Sequence, residues 1–257
     1  MDSKTKLSRD DCPSDDELRR ELRVRGELTH HYQSCTASIN YFVMWTRCDM
    51  AYTHSALSRI MDKPSDPGLK ALQRALRYLF ATAHLGLLYD FGSDNANRNA
   101  GQYGYYDAAF ADCPDSRRST IGHCIMWDGC PVAWVAKLNT YVTTSTNHSE
   151  YCAGACCARE CAFQSNLAVE CGLKRPIFKL WSDSKGSISQ SYNPTNRSAT
   201  KHVDVCDHYI REEVERQHLS VTFCPTKDMV ADIFTKPLER AAFLRHREVL
   251  VSAPPEA

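Results

Sequence analysis

Three short β-forming runs follow one another between Gly104 and Val135 with only turns between them, and from Ser149 onward helix and strand alternate. Gly104–Ala111, Thr120–Trp127 and Val132–Val135 are rich in aromatic and β-forming residues, separated by Cys113-Pro114-Asp115-Ser116 and by Asp128-Gly129. Short connections of this kind suit antiparallel neighbours, since a parallel return needs a long crossover. An Ala/Cys/Glu-rich helix is expected from Ser149 to Glu170, closed by Gly172. Ile177–Ser182 reads as a buried strand, Ser184–Tyr192 as a short helix and Lys201–Gln217 as a longer one. Leu219–Cys224 reads as a strand, and Met229–Thr235 begins a final helix broken by Pro237. Antiparallel strands followed by alternating helix and strand make an α/β domain with a mixed sheet.

The chain ahead of this region has a different texture. Residues 1–30 are polar and charge-dense and read as a tail. Between residues 31 and 90 the apolar period is helical. Ile39, Phe42, Val43 and Trp45 begin one face, and Leu69, Leu72, Ala75, Leu76 and Leu79 form a second stripe that ends at Gly86. Residues 91–103 are rich in Gly, Asn, Ser and Asp and mark a linker, the α/β domain is expected over 104–240, and 241–257 reads as a C-terminal tail.

With 257 residues, the chain is long enough for one large domain or two small ones. Its formal net charge is zero, so nucleic-acid binding has to use local patches. Thirteen cysteines lack the spacing of a zinc site. Cys152, Cys156, Cys157 and Cys161 recur at helical spacing and read as small packing residues. No signal peptide is legible, which points to a reducing intracellular setting, cytoplasmic or nuclear, where thiols stay free. No apolar run reaches the roughly 18 residues a membrane span needs.

Four acids stand at element ends: Asp107 in a strand, Glu150 near a helix start, Asp183 just after an apolar strand and Asp232 in the last helical stretch. Carboxylates this far apart in sequence meet only through folding, and their mutual repulsion then calls for divalent cations. That is the chemistry of a two-metal phosphodiester hydrolase, with Mg²⁺ ions about 4 Å apart. Simpler readings stand beside it. Asp183 can cap the following helix, and Glu150 can be a first-turn acid favoured by the helix dipole. Asp204 and Asp228 compete as acids but read as solvated or capping groups.

The wording inside these elements resembles the C-terminal end of the polyprotein of copia-type LTR retrotransposons, where the last reverse-transcriptase helices precede ribonuclease H. Trp45-Thr46-Arg47-Cys48-Asp49-Met50-Ala51-Tyr52 resembles the family's TRPDIAY, and Leu76-Arg77-Tyr78-Leu79 its RYLK. Tyr106-Asp107-Ala108-Ala109-Phe110-Ala111 is similar to YSDADWA, and Asp115-Ser116-Arg117-Arg118-Ser119-Thr120 to D-x-x-RRST. Glu150-Tyr151 stands at EAEY, Lys201-His202-Val203-Asp204-Val205 at TKHIDV, and Asp228 to Leu238 at DQxADIFTKPL. The match runs in order over roughly residues 30–240. Departures are Cys48 for Pro, Ala109 for the second acid of DAD, Asn147-His148 for a Ser/Thr-Glu pair, and Asp112 for a glycine, which strains the backbone if φ is positive there. The chain carries no polymerase Tyr-x-Asp-Asp motif.

The resemblance implies a ribonuclease H-like five-stranded mixed sheet flanked by helices, after a helical remnant of reverse transcriptase over residues 31–90. It implies an Asp-Glu-Asp-Asp metal set of Asp107, Glu150, Asp183 and Asp232 holding two Mg²⁺, with Mn²⁺ as a substitute. The implied reaction is cleavage of the RNA strand of an RNA–DNA hybrid, and the implied partner beyond the hybrid is an upstream reverse-transcriptase domain. Arg117 and Arg118, and Lys185, Arg197, Lys201 and His202, are the candidates for contacting hybrid phosphates, each with solvent exposure as the simpler alternative. The competing reading is a folded ribonuclease H-like module that binds nucleic acid or a partner without cutting.

Overall fold

The computed structural model describes residues 6–13, 22–89, 101–193 and 204–253, the side chains of 22–25 and 204–208 excepted. The chain divides into two compact units: residues 1–88 with 113–117 and 236–257, and residues 89–112 with 118–235.

In the first unit the helices are α1 (Leu22–Trp45), α2 (Ala51–Ser58) and α3 (Asp66–Ala81). Helix α1 starts ahead of the expected boundary at residue 31. Tyr32, Ile39 and Val43 line its buried face and the Tyr32 hydroxyl donates to the Leu57 carbonyl at 3.0 Å. Phe42 and Trp45, expected on that face, are exposed, because the 32–36–39–43 stripe turns them outward. Helix α3 begins at Ser65, whose side chain accepts from Gly68 N, with Pro67 in its first turn. Between α1 and α2, Arg47 makes a bidentate ion pair with Asp49, Nε–Oδ1 2.9 Å and Nη2–Oδ2 2.8 Å, both side chains essentially buried. Arg47 also donates to Thr82 O and Oγ1, and Tyr78 OH donates to Asp49 at 2.6 Å. Burial and the Asp49 charge push the Tyr78 hydroxyl up to about 12.

The second unit is a five-stranded mixed sheet in the order β3-β2-β1-β4-β5. Its strands are β1 (Gln102–Ala109), β2 (Thr120–Trp127), β3 (Cys130–Leu138), β4 (Phe178–Ser182) and β5 (Leu219–Phe223). The first three pair antiparallel, whereas β1–β4 and β4–β5 are parallel, as a mixed ribonuclease H-like sheet requires. Asp128 and Gly129, with φ of 47° and 84°, form the two-residue turn between β2 and β3, a geometry whose twist suits a tight hairpin. Strand β3 runs well beyond the expected Val132–Val135 because it pairs along all of β2; Pro131 is tolerated on this edge strand.

Helices α4 (Thr146–Glu170), α5 (Lys185–Tyr192), α6 (Asp204–Glu215) and α7 (Asp232–Thr235) complete the unit. The core lies between α4 and the sheet and includes Tyr106, Ile121, Ile125, Tyr151, Cys157 and Leu180. Gly154 lets α4 approach, since a Cβ there would stand 3.1 Å from the Tyr106 ring. The cysteine reading holds among the described residues. Cys152, Cys157 and Cys161 are buried thiols in no disulfide, Cys156 is half-buried, and burial pushes Cys124 and Cys157 far up, so both stay protonated.

The C-terminal segment differs from the expected tail. Helix α7 is one turn long, ends ahead of Pro237, and is followed by a separate helix, α8 (Arg240–Leu250), within the first unit. There Phe243 meets the Tyr78 ring edge-on, His246 and Leu250 are buried, and Ser252 exchanges backbone hydrogen bonds with Gly86.

Candidate active site

Parallel pairing of β1 with β4 aligns Tyr105 with Trp181, so two residues further along each strand stand Asp107 and Asp183. Strand ends in an open α/β sheet are where side chains can converge without blocking one another. Helix α4 supplies the third acid. Ser145 caps it, accepting from His148 N at 3.1 Å, so the helix begins at Thr146 rather than Ser149. Glu150 consequently lies one turn further into the helix than expected. Asn147 Nδ2 donates to Gln190 at 2.8 Å and ties that first turn to α5. Gly186 makes room for it: a Cβ there would stand 2.5 Å from Asn147 Oδ1.

Asp107, Glu150 and Asp183 each present an oxygen, and these oxygens lie within 4.8 Å of one another. Asp107 and Glu150 are buried and Asp183 is half-buried. Asp183 is not the cap of α5; Ser184 is, accepting from Ser187 N. Asp183 instead accepts a hydrogen bond from Thr226 Oγ1 at 2.9 Å, and Asp107 accepts one from Thr235 Oγ1. Asp232, also buried, is outside the mutual 4.8 Å set. Its charge is still felt nearby: the Cys224 thiol is pushed up to about 11, first by burial and then by Asp228, Asp183 and Asp232. Asp228 lies in the 3-10 turn Thr226–Asp228 ahead of α7.

Three carboxylates this close repel unless a cation lies among them. An all-oxygen carboxylate set is hard and suits Mg²⁺ or Mn²⁺ rather than a thiophilic metal. The residues therefore fit the metal expected of them. Gly122 was missing from the sequence reading. It pairs with Asp107, and a Cβ there would stand 2.6 Å from Phe234 Cβ and 2.7 Å from Thr235 Cγ2. A lone glycine inside a β-run is the signal that could have found it. Thr226 and Thr235 carry no comparable signal.

Among the candidate nucleic-acid contacts, Arg117 and Arg118 are exposed on the turn after β1, Arg117 with φ of 54°. Lys185 opens α5 two residues past Asp183, is exposed, and has Nζ 5.6 Å from the Phe223 ring centroid. Arg197, Lys201 and His202 lie outside the described residues, as do the side chains of Asp204 and His208. The strain expected at Asp112 is absent. Positive φ falls on Ala111 (49°), while the Asp112 carboxylate accepts from Thr120 N at 2.7 Å and Thr120 Oγ1 at 2.9 Å, fastening the turn to β2.

The sheet order and mixed pairing define a ribonuclease H-like domain, here with a carboxylate cluster at the ends of its central strands. No protein-family model matches the chain. It is similar to the retrovirus-related Pol polyprotein from transposon TNT 1-94 of Nicotiana tabacum, 31% identical over 246 residues, covering 95% of this chain and 18% of that protein. The Pol polyprotein from transposon RE1 of Arabidopsis thaliana is 32% identical over 214 residues, covering 82% of this chain and 14% of that protein. The chain is thus similar over most of its own length to copia-type transposon Pol polyproteins and spans under a fifth of the length of these relatives. Among solved structures, LC11-RNase H1 from compost gives a TM-score of 0.40 at 18% identity, covering 52% of this chain and 92% of that one. RNase H1 from Halobacterium salinarum gives 0.38 at 18% identity, covering 52% and 93%.

Proposed function

We propose that the ribonuclease H-like domain is a divalent-metal-dependent endoribonuclease that cleaves the RNA strand of RNA–DNA hybrids. The observation that supports this reading is the approach of carboxylate oxygens of Asp107, Glu150 and Asp183 to within 4.8 Å of one another, where the ends of β1 and β4 meet the second turn of α4. Asp232 is the fourth acid, on α7 beside the hydroxyl that binds Asp107. Mg²⁺ held there would supply Lewis acidity toward a phosphodiester and toward water. The side chains of this chain do the holding: Asp107 and Asp183 from neighbouring strands, Glu150 from α4. Burial of Asp107 and Glu150 keeps bulk water from competing for them, and the half-buried Asp183 stays reachable from solvent. Recognition of the hybrid rests on RNA 2′-hydroxyls and groove shape, with Arg118 and Lys185 as cations for its phosphates. The helices within residues 31–90 correspond in this reading to the end of a reverse transcriptase, and the upstream domain of the same polyprotein is the partner it implies.

The test is cleavage of an end-labelled RNA–DNA hybrid with Mg²⁺ by the whole chain and by Asp183→Asn. Metal-dependent cutting that Asp183→Asn abolishes is the expected result. A wild-type chain that melts cooperatively yet cuts nothing overturns the proposal and returns the non-catalytic module.

A further inference from the structure

Two hydrogen bonds that reach the acid cluster from outside it share an origin. Thr226 donates to Asp183 and Thr235 donates to Asp107, and both belong to the stretch that follows β5 and carries Asp232. One short segment thus addresses the acids of two neighbouring strands and bears the fourth acid between its two contacts. Thr235 is fully buried, and its hydroxyl also lies 3.3 Å from the Asp232 carbonyl, the back-bond a helical threonine ordinarily makes. A hydroxyl has one proton. An ionised carboxylate is the stronger acceptor, so the proton goes to Asp107.

We propose that Thr235 and Thr226 are positioning residues of the metal centre, fixing the carboxylates of Asp107 and Asp183 while tethering the Asp232 segment to them. This rests on the metal-site reading above. Each hydroxyl occupies one acceptor position and sets the rotation of its carboxylate, so the remaining acceptor positions point in one direction before a cation arrives. Without the hydroxyls, the acids have to be ordered at the moment of metal binding, which weakens affinity. Nothing in core packing asks for a hydroxyl at 235. Its methyl fills the space over Gly122, and valine would keep that contact.

The experiment is calorimetric titration of Mn²⁺ into the whole chain, comparing wild type with Thr235→Val, Thr235→Ser, Thr226→Val and Glu150→Gln, each checked by thermal melting in chelator. Thr235→Val should bind Mn²⁺ about tenfold more weakly, and Thr235→Ser should restore most of that loss, as expected for a hydrogen-bond partner of a metal ligand. Thr226→Val should weaken binding in the same direction by a smaller factor, its bond being exposed. Equal affinities in wild type, Thr235→Val and Thr226→Val, with Glu150→Gln much weaker, would overturn this role and leave the metal centre standing. Wild type and Glu150→Gln indistinguishable would sink the metal centre and this role with it. Should Thr235→Val fail to fold, Thr226→Val on the surface decides the question alone.

Discussion

Gly122 faces Asp107 across the β1–β2 ladder, and the side chain it lacks is the space in which Phe234 and Thr235 sit. A carboxylate and a glycine on paired strands therefore act together: one receives the hydrogen bond, the other lets the donor come close enough to make it.

Gly122→Ala should overpack this contact. The added Cβ would meet Phe234 Cβ and backbone, which cannot rotate away, so a loss of about 1–3 kcal/mol is expected. Urea unfolding measures it, and hybrid cleavage should fall further than stability alone explains because α7 carries both Asp232 and Thr235. An unchanged midpoint would mean that α7 yields freely.

Mg²⁺ should stabilise the wild-type chain. Three like charges within 4.8 Å destabilise the metal-free fold, and a ligand bound only by the folded state adds about 2.7 kcal/mol at a hundredfold excess over its Kd. Glu150→Gln removes one repelling charge, so its melting temperature in chelator should equal or exceed that of wild type while the gain on adding Mg²⁺ shrinks. A Glu150→Gln chain with the full Mg²⁺ gain would contradict the cluster.

The Arg47–Asp49 pair makes a different prediction for the first unit. Arg47→Met leaves the buried Asp49 without its guanidinium partner, with the Tyr78 hydroxyl still donating to it, and breaking such a pair costs about 3–5 kcal/mol. Replacing both partners, as Arg47→Met with Asp49→Leu, should recover a large part of that loss. Chemical denaturation of the single and double variants checks the order.

His123 predicts an acid-sensitive stability. It is buried on β2, and burial, aided by Lys137 and Arg159, holds its imidazole down at about 4 against an ordinary value of 6.5. Because the folded value is the lower one, the unfolded chain takes up the proton first. Stability is fully present above pH 6.5, declines as pH falls toward 4, and loses on the order of 3 kcal/mol across that window. His123→Leu should flatten the decline between those pH values in a denaturant series, and an identical slope in both proteins would refute the assignment.

Much of the second unit was legible because its signals are local. The β-forming run of β2, the Asp128-Gly129 turn and the cysteine-lined face of α4 each follow from neighbouring residues, and the order of elements with its family wording pointed to the mixed sheet. Element ends were less legible. The Ser145 cap moved Glu150 a turn along α4, since a serine among Thr143-Thr144-Ser145-Thr146 declares itself only through the amide it reaches. Residues 241–257 read as a tail because the apolar partners of α8 lie near the other end of the chain, Phe243 against Tyr78 being the case in point.

By itself the sequence determined most of the strand and helix content of the second unit and its mixed sheet, and it singled out four candidate acids, because periodicity, turn chemistry and motif wording are written residue by residue. Only the tertiary structure decided that Asp107, Glu150 and Asp183 share one volume while Asp232 stands outside their 4.8 Å set. It alone decided that Thr226 and Thr235 aim hydroxyls at two of them. Those outcomes depend on strand register and on the absence of a Cβ at Gly122, distances between residues remote in the chain that no local pattern encodes.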